Sequence, residues 1–254
     1  MSRLLASSAA VALLSTAAFA ADLPLPMEPV EEVFAAPAYD WTGLYIGGQG
    51  GFAWGEFDYD DPTEFDAGGA IFNYGDFSFD ADGPLAGGHI GYNMQSGYWV
   101  FGVEVDAQWT DIEGSRRFVA SIFDLFPSAT FDTLAESELE WFGTARARIG
   151  AAFDRFHIYA TGGLAYGEID STLSFPPTAG GPVVFIDRDS EFHFGAAGGA
   201  GVEFALTDNI IFGAEGLYVH LFDEEHAYLI AGDTYTMDID LSAVLARGSV
   251  SFKF

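Results

Sequence analysis

The stretch ESELEWFGTARARIGAAF, residues 136–153, alternates between two kinds of side chain. Leu139, Trp141, Ala145, Ala147, Ile149 and Phe153 stand at odd positions; Glu138, Glu140, Arg146 and Arg148 stand at even ones. Successive side chains of a β-strand point to opposite faces, so the spacing predicts a strand with an apolar row and a charged row. Wound as a helix, the same charges scatter around the cylinder and leave no apolar stripe. At roughly 18 residues, the segment is about three times as long as a usual strand of about five to six. A strand of that length with one greasy and one ionised face fits a membrane barrel, its apolar row on lipid and its charged row in a lumen.

The rest of the chain extends this pattern. Period-two alternation recurs over residues 41–57, 85–95, 98–112, 134–153, 156–173, 190–206, 209–222 and 236–254. The connections SGY, DR and TDN suit tight hairpin turns. Those over 58–84, 113–133, 174–189 and 223–235 are longer, and because strands alternate in direction they fall at the opposite end. Short turns at one end and long loops at the other predict an all-β, eight-stranded antiparallel up-and-down transmembrane β-barrel over 41–254, turns in the periplasm and loops extracellular.

Aromatic spacing supports the membrane setting. Trp99 and Trp109, Phe156 and Tyr166, and Phe194 and Phe204 are pairs of equal parity, ten residues apart. At about 3.3 Å per residue and a tilt near 40°, such a pair spans about 25 Å, the height of the apolar band between two aromatic girdles. Phe153, Phe212, Phe252 and Phe254 add to the periplasmic girdle, and Trp54, Trp141 and Tyr218 to the outer one. The inward rows then supply a lumen charge network of Glu104, Asp106, Glu138, Glu140, Arg146, Arg148, Glu203, Glu215 and Arg247, with His89, Asn93 and Gln108 beside them. An unpaired charge in a dry interior costs several kcal/mol, so these groups must serve one another. Eight strands leave an interior just wide enough for side chains to fill.

The N-terminus places the chain in the envelope. Arg3, the run LLASSAAVALLSTAAFA and the triplet Ala18, Phe19, Ala20 have the layout of a secretory signal peptide over 1–20, with cleavage after Ala20. The Pro-rich residues 21–40 read as an extended periplasmic linker. Cysteine is absent, so no disulfide framework holds the fold. The net charge of -29 argues against nucleic acid as a partner.

The opening DWTGLYIGGQGGFAWG (40–55), with the ADLP segment before it and SVSFKF at the end, resembles the small outer-membrane proteins of alphaproteobacteria. These are the immunogenic surface, or porin-family, barrels related to the OmpA membrane domain. The resemblance implies a Gram-negative outer membrane and barrel-assembly machinery that reads the terminal Phe254. It also implies lipid and lipopolysaccharide as surroundings. We expect a monomer.

Candidate sites are few. The glycines of GLYIGGQGG lack the Gly-Lys-Ser/Thr of a phosphate loop and read as sites of strand bending and close packing. His89, His157 and His193 are predicted inward but too far apart along the barrel to share a metal, so neither metal nor cofactor is expected. His220, His226 and Tyr228 flank the last external loop, where relatives of the family bind haemin. Asp58, Asp60, Asp61, Glu64, Asp66, Asp76, Asp80 and Asp82 crowd residues 58–82 without a Lys or Arg, an oxygen-rich set open to a divalent cation. No inward Ser–His pairing is apparent, and no enzyme is expected. The reading is a non-enzymatic barrel with a filled lumen, displaying acidic loops and contributing to envelope structure; the alternative is a narrow porin or a surface binder of haemin or cations.

Overall fold

The computed structural model describes residues 39–60, 65–67, 70–72, 76–121, 130–174, 186–230 and 233–254. The expected signal peptide and all of the linker before residue 39 lie outside them. Ten strands follow one another: β1 (Gly43–Asp60), β2 (Phe65–Ala67), β3 (Ala70–Phe72), β4 (Phe77–Ser96), β5 (Trp99–Ser121), β6 (Thr130–Phe153), β7 (Phe156–Ser174), β8 (Ile186–Ala205), β9 (Ile210–Ile230) and β10 (Asp233–Lys253). Among the described residues β2 and β3 pair with each other alone, and the other eight close an antiparallel barrel in the order β1-β10-β9-β8-β7-β6-β5-β4. The eight-stranded up-and-down barrel expected from the alternation is the fold of the chain.

Following the register once around the wall from Gly55, through Ala243, Val219, Ala197, Gly163, Arg146, Glu104 and Gly91, returns to Tyr45, ten residues lower on the same strand. With strands about 4.8 Å apart and about 3.3 Å per residue, that stagger tilts them by about 40°. Two of the tight turns need a left-handed residue, supplied by Gly97 (φ 63°) and by Asp154 (φ 54°).

The strands run well past the ends expected of them. Residues 77–84, 113–121, 223–230 and 233–235 are strand, not loop. Over 77–84 the alternation is of opposite sense, with Phe79 and Ala81 inside and Asp80 and Asp82 outside, a pattern the sequence alone presents as an acidic loop. Below Trp54, Trp109 and Phe194 the apolar side chains turn outward; beyond them Phe57, Tyr59, Phe79, Ile112, Leu139, Ile169, Met237 and Ile239 turn inward and are buried. Outward there stand carboxylates, among them Glu56, Asp58, Asp80, Asp111, Glu113, Glu168 and Asp240.

On most strands the inward positions keep their parity and only their chemistry changes, but on β6 and β9 the reversal runs through a bulge. On β6, Leu139 pairs with Ile169 and Trp141 with Glu168, leaving Glu140 as an extra residue. On β9, two residues, Phe222 and Asp223, face the single Asp240. Each bulge shifts the strand's parity, so that the inward set changes from even to odd positions on β6 and from odd to even on β9.

The outer end is also divided. The β8–β9 ladder stops at the Gly195–Leu221 pair, although β8 begins at Ile186 and β9 continues to Ile230. The β4–β5 ladder stops at Asp82–Glu113, although β5 continues to Ser121. Beyond the ladders, β5-β6-β7-β8 and β9-β10-β1-β4 face each other as two four-stranded sheets over one apolar core. Side chains bridge the two seams: Arg116 Nη1 donates to the Ser78 carbonyl at 2.8 Å, and the Ala227 amide donates to Asp189 Oδ2 at 2.9 Å.

Candidate functional site

The lumen is filled in three layers. At the periplasmic mouth the chain before β1 folds back as a stopper. Trp41, expected to open the first strand, instead lies wholly buried among Tyr39, Val100, Ala152, Ala205 and Ile211. Its indole Nε1 donates to the Asp154 carbonyl at 3.2 Å and its amide donates to Gln95 Oε1 at 2.8 Å.

The middle layer is ionic. Arg146 on β6 contacts Glu104 at 2.6 Å, Asp106 at 3.0 Å and Glu215 at 3.0 Å. Arg148 contacts Glu104 at 3.0 Å and Glu203 at 2.5 Å, and its guanidinium lies 3.8 Å from the centre of the Tyr159 ring. Arg247 on β10 reaches Asp106 at 3.0 Å and Glu215 at 2.6 Å. Hydroxyls complete the shell: Tyr45 donates to Glu104, Tyr159 to Glu215 and Thr144 to Asp106. Four carboxylates meet three guanidiniums, with His157 Nδ1 2.9 Å from Glu203 as a fourth partner. Such pairing is required where charges leave water. Gly91 makes room for it, since a Cβ there would lie 2.3 Å from the Tyr45 hydroxyl. A cavity of about 10 Å³ remains between Gln49, His89, Glu104, Tyr159, Glu203, Glu215, Arg247 and Ser249, space for no more than about one water.

The third layer is the apolar core between the two outer sheets. Phe57, Phe142, Leu139, Ile169, Leu217, Leu221, Met237 and Leu241 close the lumen over the arginines.

Of the residues assigned to the lumen network from the sequence, Glu104, Asp106, Arg146, Arg148, Glu203, Glu215 and Arg247 meet in the middle layer. Glu138 and Glu140 do not, because the bulge at Glu140 turns both outward and puts Ser137 and Leu139 inside. Leu139, expected on lipid, is therefore core. Glu138 stands directly between Glu113 and Asp170 on the neighbouring strands. Burial first, and then Glu140 and Glu113, push its carboxyl above the usual range. Trp54, Trp99, Trp109, Trp141, Phe156, Tyr166, Phe194, Phe204 and Phe254 all turn outward, exposed or half-exposed. Asp58, Asp60, Asp80 and Asp82 lie on strands rather than in a loop, while Asp61 and Glu64 fall outside the described residues.

Sequence reading missed two contacts of histidine. His89 Nε2 lies 2.7 Å from Ser251 Oγ, an inward Ser–His pair. Gly47 permits it: paired with His89 on one side and Ser251 on the other, it leaves open the space that a Cβ would fill, 2.5 Å from Nε2. The far nitrogen, His89 Nδ1, has no hydrogen-bond partner, so no acid orients the ring as a catalytic base needs. His193 and His226 also meet inside the outer end. His220, by contrast, sits on the outer face against Ser242, so it and His226 do not converge on one surface ligand. Only registers of distant strands reveal these pairs; no local spacing does.

A closed eight-stranded barrel with an apolar outer belt, aromatic rows at its edges and an ionised, filled interior is an outer-membrane β-barrel. Residues 6–246 match the family model of the outer membrane protein beta-barrel domain, and the chain belongs to that family. It is 31% identical over 245 residues to the 31 kDa outer-membrane immunogenic protein of Brucella melitensis, covering 96% of each chain. It is 32% identical over 183 residues to the 22 kDa outer membrane protein of Rhizobium leguminosarum bv. viciae, covering 71% of this chain and 64% of that one. Among solved structures, OprG from Pseudomonas aeruginosa is similar with a TM-score of 0.47 at 16% identity, covering 86% of this chain and 100% of that one. The protein resides in the outer membrane of a Gram-negative bacterium with its loops extracellular.

Proposed function

We propose that the protein is a non-enzymatic, sealed barrel that contributes to envelope structure and carries an acidic outer surface. One observation supports this reading above the others: stopper, ionic layer and apolar core occupy the lumen in series, and the cavity within the ionic layer measures about 10 Å³. A narrow porin needs a continuous water path, and each layer interrupts one. In this reading the export signal and linker precede a monomeric barrel, Phe254 is the assembly signal, and outer-membrane lipid and lipopolysaccharide are its surroundings. Planar-bilayer recording on the purified full-length protein tests it. No steady openings are expected; ion-selective openings of constant size would overturn the sealed barrel in favour of a pore.

A further inference from the structure

Where β8 and β9 lose their ladder, two fully buried imidazoles stand between them. His193 Nε2 lies 3.0 Å from His226 Nε2. The other nitrogen of each ring faces oxygen: His193 Nδ1 is 3.0 Å from the Phe222 carbonyl, and His226 Nδ1 is 3.5 Å from Asp189 Oδ2. A carbonyl only accepts, so His193 carries its proton on Nδ1 and presents a bare lone pair at Nε2.

Two neutral forms of His226 remain, and each leaves a conflict. With the proton on Nε2 the rings share a hydrogen bond, but a bare Nδ1, which has no hydrogen-bond partner, faces a carboxylate. With the proton on Nδ1 the carboxylate is served, and two lone pairs oppose each other at 3.0 Å. A cation placed between the two Nε2 lone pairs, with the proton of His226 on Nδ1, relieves the second form.

We propose that the His193–His226 pair binds one divalent transition-metal ion of the imidazole-preferring class, such as Zn²⁺, through the two Nε2 atoms. Two zinc–nitrogen bonds of about 2.0–2.1 Å at the tetrahedral angle hold nitrogens about 3.3 Å apart, close to the present spacing, and the two rings, now edge to edge with centres 5.3 Å apart, turn so that their lone pairs converge on the ion. The Phe222 carbonyl already holds the His193 ring from behind, and Asp189 lies 3.5 Å behind the His226 ring, where a carboxylate can orient a metal-bound histidine. Glu191, Asp223 and Glu224 add negative potential around the pair. Among the described residues no cluster of three or more protein ligands exists, so water completes the coordination. The bound ion joins β8 to β9 across the seam and stabilises the folded barrel by linkage.

The test is thermal unfolding of the purified full-length barrel in detergent at pH 7.5, with Zn²⁺ or with Mg²⁺. Zn²⁺ is expected to raise the wild-type midpoint by several degrees, to leave a His193→Ala/His226→Ala double variant unmoved, and to act on His220→Ala as on the wild type. Cu²⁺ bound to the wild-type protein should give an electron paramagnetic resonance spectrum coupled to two imidazole nitrogens, which decides the matter if the double variant does not fold. A Zn²⁺ shift that persists in the double variant, an equal shift with Mg²⁺, or a copper spectrum without two nitrogens overturns the proposal.

Discussion

Leu139 and Trp141 are two positions apart on β6 yet lie on opposite sides of the barrel wall: Leu139 is 2% exposed in the core, and Trp141 turns outward. Equal parity should place them together. The bulge at Glu140 separates them, and the assignment of every β6 residue beyond it follows from that one insertion. Leu139→Ala is therefore expected to cost about 2–5 kcal/mol through the cavity it leaves. Glu138→Gln should be neutral or mildly stabilising, because it relieves the row of like charges with Glu113 and Asp170. Urea titration of the folded, heat-modifiable band measures both; a large loss in the Glu138 variant would put that carboxylate back into the lumen network.

Arg146 is the hub of the middle layer, with three carboxylates on one guanidinium. Arg146→Met strands acidic charge away from water and should cost about 3–5 kcal/mol. Adding Glu104→Gln and Asp106→Asn to it should recover a measurable part of that loss. Arg148→Met provides a comparison within the same layer, since the carboxylates it leaves are two, Glu104 and Glu203. A triple variant no more stable than Arg146→Met alone would show that the cost is packing rather than charge.

How much of this was legible beforehand depends on whether alternation keeps its sense. From Ile46 to Phe52 and from Ala145 to Phe153 the greasy row faces out throughout, and the strands, their turns and the inward placing of Arg146 and Arg148 follow from parity and closure. Beyond the outer aromatics the rule inverts. Phe79 and Asp80, or Ile239 and Asp240, alternate as strictly as any pair below, but with the apolar partner inside. Over 77–84, rich in Asp, that inversion looks from the sequence like an acidic loop, whereas 236–240 reads as strand with its faces exchanged. The bulges at Glu140 and at Phe222–Asp223 escape for a different reason: one extra residue in a ladder has no composition of its own. The His89–Ser251 and His193–His226 pairs depend on the register between strands, which a single sequence does not state.

Asp58 and Asp240 are paired directly across β1 and β10, outside the membrane belt. Burial, then Asp58 and Asp223, push the Asp240 carboxyl up to about 6, and Asp58 is raised as well. An acid whose folded pKa exceeds its unfolded value of 3.8 holds more protons in the native state, so stability falls as pH rises from about 4 to about 6 and stays lowered above that. Asp240→Asn should raise the unfolding midpoint at pH 7.5, the gain being about 1 kcal/mol once solvent screening is allowed for. At pH 4 the variant and the parent should coincide. Midpoints measured across that window check the sign; a gain that grows towards low pH would contradict it.

Trp41 closes the periplasmic mouth with two hydrogen bonds and contacts to Tyr39 and His157, each with its ring centre 5.0 Å away. Trp41→Ala removes a wholly buried side chain and should cost about 3–5 kcal/mol. It should not open a channel, because the Arg146, Arg148 and Arg247 layer and the apolar core above it stand in series behind the stopper. Bilayer recordings of the variant separate the two effects. A less stable but silent barrel is the outcome that three independent seals require. Steady openings from loss of Trp41 alone would mean that the upper layers leak, and that the stopper by itself keeps the wild-type lumen shut.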